Sequence, residues 1–205
     1  MALRIIDCEQ GSPDWFAARL GIPTASEFSS ILAKGEGKTR ATYLRKLAGE
    51  ILTGEPMPTY QNADMERGTL MEDEARNAYA FLKDAEPLRV GFVLNGDKGC
   101  SPDSLLGDAG GLEIKSAATH IQIERLMKGE LPSEHKAQVQ GNLWVCEREW
   151  WDFASYCHRL PLMVVRVYRD EGYIANLAGA VKAFNEELAT TVQFIRQQYG
   201  ARVAA

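Results

Sequence analysis

The chain has 205 residues, enough for one α/β domain with a sizeable core, and we expect a single domain over residues 1–205. Its 45% hydrophobic and 25% charged residues are typical of a globular protein and argue against a disordered or fibrous chain. No apolar run approaches the roughly 20 residues of a membrane span, and no apolar secretion signal is recognisable, so we expect a cytoplasmic protein without membrane contact.

The net charge of −5 is unevenly distributed along the chain. Residues 19–46 contain six basic and two acidic side chains, so this segment carries +4 and the remainder carries −9. A solvated surface loop is one explanation of the segment. A local basic patch on an otherwise acidic body is the other, and it would suit a nucleic acid.

The first half of the chain is predicted to be helical. Ser12 and Pro13 are a favourable N-cap and first-turn pair, so a short helix should follow them. Residues 64–83 have apolar side chains at helical spacing, which predicts a long amphipathic helix. Helices are predicted over residues 13–20, 24–32, 41–52 and 64–83, with a flexible basic loop over 34–40.

The second half has the pattern of strands that alternate with helices. Val90–Leu94 is a short β-type run that ends at an Asn-Gly-Asp turn. Strands are predicted over residues 90–94, 99–104, 112–116, 150–156 and 162–168, and helices over 119–128, 133–147 and 174–199. This order predicts an α/β fold in which a mixed central sheet is flanked by helices.

The predicted strand Gly-Leu-Glu-Ile-Lys at residues 111–115 is the most informative segment. Because alternate side chains of a strand face opposite sides, Leu112 and Ile114 should enter the core while Glu113 and Lys115 project together. An isolated carboxylate–ammonium pair of this kind is most often a plain salt bridge. The residues around it therefore decide between a structural and a catalytic interpretation.

Asp103 lies ten residues before Glu113, after Pro102 and ahead of a glycine-rich turn. A hairpin would bring the two carboxylates together, and close carboxylates repel unless a divalent cation lies between them. Oxygen ligands suit Mg²⁺ or Mn²⁺, and the carbonyl of Ile114 is placed to complete such a site. Lys115 would orient or deprotonate the attacking water, or stabilise the charge that develops during phosphodiester hydrolysis.

Pro102-Asp103 followed by Glu113-Ile114-Lys115 matches the PD-(D/E)XK nuclease signature. More narrowly, the chain resembles the lambda-type phage exonucleases, also called YqaJ-like viral recombinases. Six segments between about residues 12 and 170 match in the order of that family. They are Trp15…Arg19-Leu20-Gly21, Thr24-Ala25-Ser26-Glu27, Gly68…Glu72…Ala75, Cys100-Ser101-Pro102-Asp103, Gly111-Leu112-Glu113-Ile114-Lys115, and Ala137-Gln138-Val139-Gln140…Trp144-Val145. The resemblance implies a PD-(D/E)XK nuclease-like α/β fold.

The resemblance implies a Mg²⁺-dependent exonuclease that degrades one strand of double-stranded DNA processively from the 5′ end. Such an enzyme releases 5′-phosphomononucleotides and leaves a 3′ single-stranded overhang. The resemblance also implies two Mg²⁺ ions, with Mn²⁺ as an alternative, held by Asp103, Glu113 and the Ile114 carbonyl beside Lys115. Glu72 would act through a metal-bound water, although without the family a solvated helix position is its preferred interpretation.

The family also implies a site for a 5′-phosphorylated DNA end. Its phosphate ligands correspond to Arg19, Ser26, Ser101, Gln138 and, in place of a family tyrosine, His135. An arginine fork, two hydroxyls and an amide can together recognise a terminal phosphate. Taken alone, Ser26 would equally be a helix cap and Arg19 a surface residue. Met65 falls where the family has an apolar wedge that separates the strands.

The resemblance further implies a closed homotrimer around the DNA and a single-strand annealing protein as partner, in a phage or prophage of a bacterial host. Three copies of the basic patch, turned inward, would line the channel of such a ring. The tryptophans at 144, 150 and 151 are predicted to lie in the core or at a contact between subunits.

Two alternatives stay open. One is another PD-(D/E)XK endonuclease, of restriction or repair, and the other is a non-catalytic platform that binds DNA ends. The phosphate ligands favour an exonuclease, because an endonuclease has no need of a terminal phosphate. The intact set of Asp103, Glu113 and Lys115 argues against a non-catalytic platform.

Overall fold

The computed structural model describes residues 2–33, 38–57 and 63–200, and for 63–70 it describes the backbone alone. Residues 34–37 of the predicted basic loop lie outside the described residues. Residues 38–40 of that predicted loop are the first turn of a helix instead. None of the helices in the described ranges combines the length and the apolar character that a membrane crossing requires.

Helices make up most of the first half, as predicted. They are α1 (Pro13–Ala18), α2 (Phe28–Leu32), α3 (Lys38–Thr53) and α4 (Ala63–Lys83). The hydroxyl of Ser12 accepts a hydrogen bond from the backbone N–H of Trp15 at 3.2 Å, which confirms the predicted N-cap. The helix predicted over 24–32 is divided, because a 3₁₀ turn at Ala25–Glu27 precedes α2.

A three-stranded antiparallel sheet consists of β1 (Arg4–Ile6), β2 (Phe92–Asn95) and β3 (Lys98–Cys100), in that order. Strand β1 was not predicted, because three edge residues are too few to show an alternating pattern. The single extended segment predicted over 99–104 contains the end of β3 and the start of a strand in a second sheet. The chain therefore leaves one sheet and enters the other between Cys100 and Ser104.

The second sheet is mixed and contains β4 (Ser104–Leu106), β5 (Gly110–Ser116), β6 (Trp150–Tyr156) and β7 (Met163–Tyr168). Strand β5 pairs antiparallel with β4 and parallel with β6, and β6 pairs antiparallel with β7. The crossover from β5 to β6 contains α5 (Thr119–Lys128), a 3₁₀ turn (Ser133–His135) and α6 (Lys136–Cys146). A long helix, α7 (Glu171–Tyr199), follows β7. The predicted mixed sheet flanked by helices is confirmed, with a second small sheet beside it.

The mixed sheet separates two cores. The larger core lies under α6 and α7 and contains Trp151 and Phe153, and the smaller core lies under α4. Leu112 and Ile114 point into the smaller core, as the alternation in β5 predicted, so Glu113 faces α6. Trp151 is fully buried in the larger core, which is the first of the two locations predicted for it.

Candidate active site

The hairpin of β4 and β5 places Asp103 beside the middle of β5. Ser104 is paired with Leu112, and the carboxylate oxygen Oδ2 of Asp103 accepts a hydrogen bond from the backbone N–H of Ile114 at 2.5 Å. The two carboxylates of Asp103 and Glu113 are therefore neighbours on one side of the sheet, as the spacing of the sequence predicted.

A cleft of about 480 Å³ opens over this hairpin. All the residues with a predicted catalytic or metal-binding role line this cleft, and so do four of the five predicted phosphate ligands. The predicted residues that line it are Arg19, Ser26, Glu72, Ser101, Asp103, Glu113, Ile114, Lys115 and Gln138. His135 is not among the lining residues, and the side chain of Met65 lies outside the described part of the chain.

The carboxylate of Glu113 is nearly inaccessible and is surrounded by hydrogen-bond donors. Its oxygen Oε1 accepts from Nε2 of Gln138 at 2.6 Å and lies 2.5 Å from Nζ of Lys115. Its oxygen Oε2 accepts from Nδ2 of Asn142 at 3.0 Å. A buried carboxylate is tolerated when it is paired and hydrogen-bonded, and each of these contacts contributes to that compensation.

The carboxylate of Asp103 has a different environment. Burial raises its pKa well above the ordinary value, and the nearby charge of Glu113 raises it further. For Lys115, burial opposes the charge, but Glu113 and Asp103 outweigh it and raise the pKa of the ammonium. The site thus places two carboxyl groups, of Asp103 and Glu113, beside one ammonium group, of Lys115.

Glu72 on α4 reaches the rim of the cleft, where it forms an ion pair with Arg76. Arg76 is buried and also donates from Nε to the hydroxyl of Ser104 at 3.0 Å and from NH2 to the backbone carbonyl of Asp103 at 3.2 Å. One guanidinium therefore joins α4 to the start of β4. No pattern in the sequence distinguishes Arg76 from any other charged residue of an amphipathic helix.

The predicted phosphate ligands Arg19 and Ser26 lie together in the same cleft. The guanidinium of Arg19 lies over the indole of Trp15 and donates to the hydroxyl of Thr24 at 3.4 Å. The hydroxyls of Thr24 and Ser26 are 3.2 Å apart. Nε1 of Trp15 donates to the hydroxyl of Ser101 at 2.8 Å. We call the part of the cleft that is lined by Arg19, Thr24, Ser26 and Ser101 its donor-rich end, since it offers a guanidinium and three hydroxyls.

Gln138 and His135 differ from the other predicted phosphate ligands. In this structure the side-chain amide of Gln138 donates a hydrogen bond to the carboxylate of Glu113, a proposed metal ligand. His135 stacks on Phe153, and its Nε2 lies 3.1 Å from NH2 of Arg125. Because arginine only donates, Nε2 accepts and the ring is the neutral Nδ1–H tautomer. Burial, with the charges of Lys115 and Arg125, lowers the pKa of His135 to about 4.

The residues of the cleft suit a divalent cation. Within residues 2–33, 38–57 and 71–200, no three His, Cys, Asp or Glu side chains converge as a ready metal site, so an ion here would rest on two carboxylates and further oxygens. The N–H and C=O of a strand residue leave it on the same side, so the Ile114 carbonyl faces the Asp103 edge. Carboxylate and carbonyl oxygens are the ligands that Mg²⁺ and Mn²⁺ prefer. A cation would also relieve the repulsion that raises the pKa of Asp103.

Two crystal structures of LHK-Exo, an alkaline exonuclease from Laribacter hongkongensis, are similar to this chain. The complex with dAMP superposes with a TM-score of 0.86 at 34% identity, and the other structure with 0.85 at 33% identity. Each comparison covers 93% of this chain and 99% of LHK-Exo. A phage-related exonuclease from Haemophilus somnus 129PT shares the fold, with a TM-score of 0.65 at 15% identity over 86% of this chain and 96% of that one.

No curated protein sequence matches the chain significantly. Residues 14–149 match the profile of the YqaJ-like viral recombinase domain. This match spans α1 to the end of α6 and so includes every residue that lines the cleft except Gln10. The chain therefore belongs to the YqaJ-like viral recombinase family.

Proposed function

We propose that the protein is a Mg²⁺-dependent exonuclease that digests one strand of duplex DNA processively from its 5′ end. It releases 5′-phosphomononucleotides and leaves a 3′ single-stranded overhang. The family and the LHK-Exo structures support an exonuclease acting on DNA. The observation that carries the finer proposal is one cleft that is lined both by the carboxylates and by the donors for a terminal phosphate.

Hydrolysis would take place at the carboxylate end of the cleft. Asp103, Glu113 and the Ile114 carbonyl would hold Mg²⁺, in one or two ions, with Glu72 reaching the site through water. When bound, the cation supplies a Lewis acid and a water of lowered pKa. The ammonium of Lys115, half-buried beside Glu113, would hold the attacking water or stabilise the negative charge that accumulates on the phosphoryl oxygens.

The direction of digestion would come from the donor-rich end. Arg19 offers a planar fork of N–H donors that matches the oxygens of a phosphate, and the hydroxyls of Ser26 and Ser101 add neutral donors. A terminal 5′-phosphate bound there places the next phosphodiester near the carboxylates. One nucleotide is then released per cleavage.

We include in the proposal a homotrimer that encloses the duplex and an annealing protein that receives the 3′ strand during phage recombination in a bacterial host. At a net charge of −5, one subunit has little electrostatic hold on a duplex, because non-specific binding depends on neutralised phosphates. Large apolar side chains are exposed at the end of α4 and just after it, at Phe81, Leu82 and Leu88. Such side chains are typical of contacts between subunits.

Digestion of linear duplex DNA labelled at the 5′ or the 3′ end of one strand tests the proposal. With Mg²⁺ we expect early release of 5′ label as mononucleotide, late release of 3′ label, and no release in EDTA. Covalently closed circular DNA should resist. Cleavage of the circle would instead favour the restriction or repair endonuclease, and binding of ends without any cleavage would favour the non-catalytic platform.

A further inference from the structure

The polar face of α6 presents two carboxamides to a single carboxylate. Gln138 and Asn142 are four residues apart, so they lie on the same side of the helix. Their amide nitrogens donate to different oxygens of Glu113, at 2.6 Å from Gln138 and 3.0 Å from Asn142. This arrangement fixes the rotation of the carboxylate plane, which is otherwise a soft torsion.

The helix that carries these amides is held firmly in place. Val139 and Leu143 on its other faces are fully buried in the larger core. Gly141 lies so close to Phe28 of α2 that a β-carbon there would overlap the aromatic ring. The position of α6 is therefore set by core packing on several sides, and its two amides have defined places above β5.

The two carboxylates of the site are not held equally. Glu113 has two amide donors and the ammonium of Lys115. Among the described residues, the carboxylate of Asp103 accepts one hydrogen bond, from the backbone N–H of Ile114. Glu113 is thus the member of the pair whose oxygens are already oriented. Neutral amides achieve this orientation without adding positive charge that would compete with a cation.

Asn142 and Gln138 differ in their access to the cleft. Asn142 is 1% exposed, whereas Gln138 is partly exposed, and its second amide hydrogen is available for a DNA phosphate. Gln138 can therefore donate hydrogen bonds to both Glu113 and the DNA. Asn142 is too deeply buried to contact the DNA.

We propose that Asn142 is a positioning residue that orients Glu113 for the divalent cation and makes no contact with DNA. The inference rests on the proposed metal-dependent function. Removing a residue that orients a metal ligand typically weakens metal affinity or activity 10- to 100-fold. Loss of Asn142 should therefore weaken cation binding while the preference for 5′-phosphorylated ends stays unchanged.

The test compares Asn142→Leu with Gln140→Met in the full chain. Gln140 is a second buried carboxamide of α6, but its amide bonds to the backbone of Tyr168 and Asp170, away from the cleft. Both replacements remove a buried amide of similar size, so both should lower the melting temperature. Ca²⁺ binding without DNA, measured by titration calorimetry, should weaken at least tenfold in Asn142→Leu and less than twofold in Gln140→Met.

Asn142→Ala serves as a second variant that cannot overfill the site. If folded variants of Asn142 bind Ca²⁺ within twofold of the wild type, the proposal is wrong. It is equally wrong if both variants unfold while Gln140→Met stays folded, because Asn142 is then a structural residue. A wild-type protein that neither binds Ca²⁺ nor digests DNA would instead overturn the proposed function.

Discussion

The guanidinium of Arg19 lies over the indole of Trp15, with its central carbon 4.0 Å from the ring centroid, and the same indole donates a hydrogen bond to Ser101. Trp15 therefore joins the donor-rich end of the cleft to the loop that leads into Asp103. The indole occupies a face of the guanidinium, so N–H groups at its edge that do not donate to Thr24 can donate to an anion.

Arg19→Ala should slow digestion of 5′-phosphorylated ends far more than digestion of 5′-hydroxyl ends. A charge-assisted contact with a phosphate contributes about 1.5–3 kcal/mol, which corresponds to roughly a 10- to 150-fold loss on the phosphorylated substrate. Initial rates on two duplexes that differ only at the 5′ terminus measure the effect. Trp15→Phe, which keeps an aromatic face but loses the N–H, should give a smaller loss. An equal loss on both ends in Arg19→Ala would assign Arg19 to the fold or to an internal phosphate.

Asp103→Asn and Glu113→Gln should both abolish cleavage, but only Glu113→Gln should destabilise the metal-free protein. The asparagine removes a charge that is unfavourable beside Glu113 and keeps an oxygen for the N–H of Ile114, so the metal-free protein should be equally or more stable. The glutamine turns an NH₂ group toward amide and ammonium donors, which should cost about 1–3 kcal/mol. Urea unfolding in EDTA measures both variants. Equal destabilisation would contradict the unequal environments of the two carboxylates.

Because His135 is neutral in the folded protein, we expect the free energy of unfolding to depend on pH. Its pKa is about 4 in the folded chain and about 6.5 in an unfolded one, so in this window the unfolded chain binds a proton that the folded chain does not. Stability should therefore decline as the pH falls from about 6.5 to about 4, by a few kcal/mol at most, since each pKa unit corresponds to about 1.4 kcal/mol.

His135→Gln, which retains an acceptor for Arg125, should remove this part of the decline. Unfolding free energies at several pH values, compared with wild type and with a replacement of the exposed His120, measure it. An unchanged pH profile in His135→Gln would show that His135 has the same pKa in the folded and unfolded chains, which would contradict the prediction.

The proposed ring predicts a particle of about three times the 22.7 kDa mass of one chain. Light scattering measures the mass, and a challenge with excess unlabelled DNA after digestion has begun measures processivity. Enclosure of the duplex should leave digestion in progress largely unaffected by the challenge, because release requires the ring to open or reach an end. A monomeric mass together with immediate arrest would describe a distributive enzyme.

Local patterns in the sequence were sufficient to place the carboxylate end of the cleft. Period-two alternation put Glu113 and Lys115 on one face of β5, and the short spacing from Asp103 allowed a single hairpin to bring the carboxylates together. The N-cap at Ser12 was equally local, since it depends on a residue three positions away. Such features involve neighbours in the chain, so spacing alone can predict them.

Features that depend on distant contacts were missed. Asn142 meets Glu113 across 29 residues, and Arg76 meets the backbone of Asp103 across 27. Nothing in the helical pattern of α6 separates Asn142 from Gln140, although one faces the cleft and the other faces the backbone of Tyr168. Only the packing angle of the helix on the sheet decides which buried amide reaches the site.

The two parts of the cleft are built on different sheets. The donor-rich end is attached to the small sheet, since Thr24 bridges Gly99 in β3, while Glu113 belongs to the mixed sheet. The stretch from Ser101 to Asp103 joins the two sheets. On the proposed function, the position of Arg19 and Ser26 relative to the carboxylates decides which phosphodiester is cut. Product length is then a property of the joint between two sheets, independent of which base is removed.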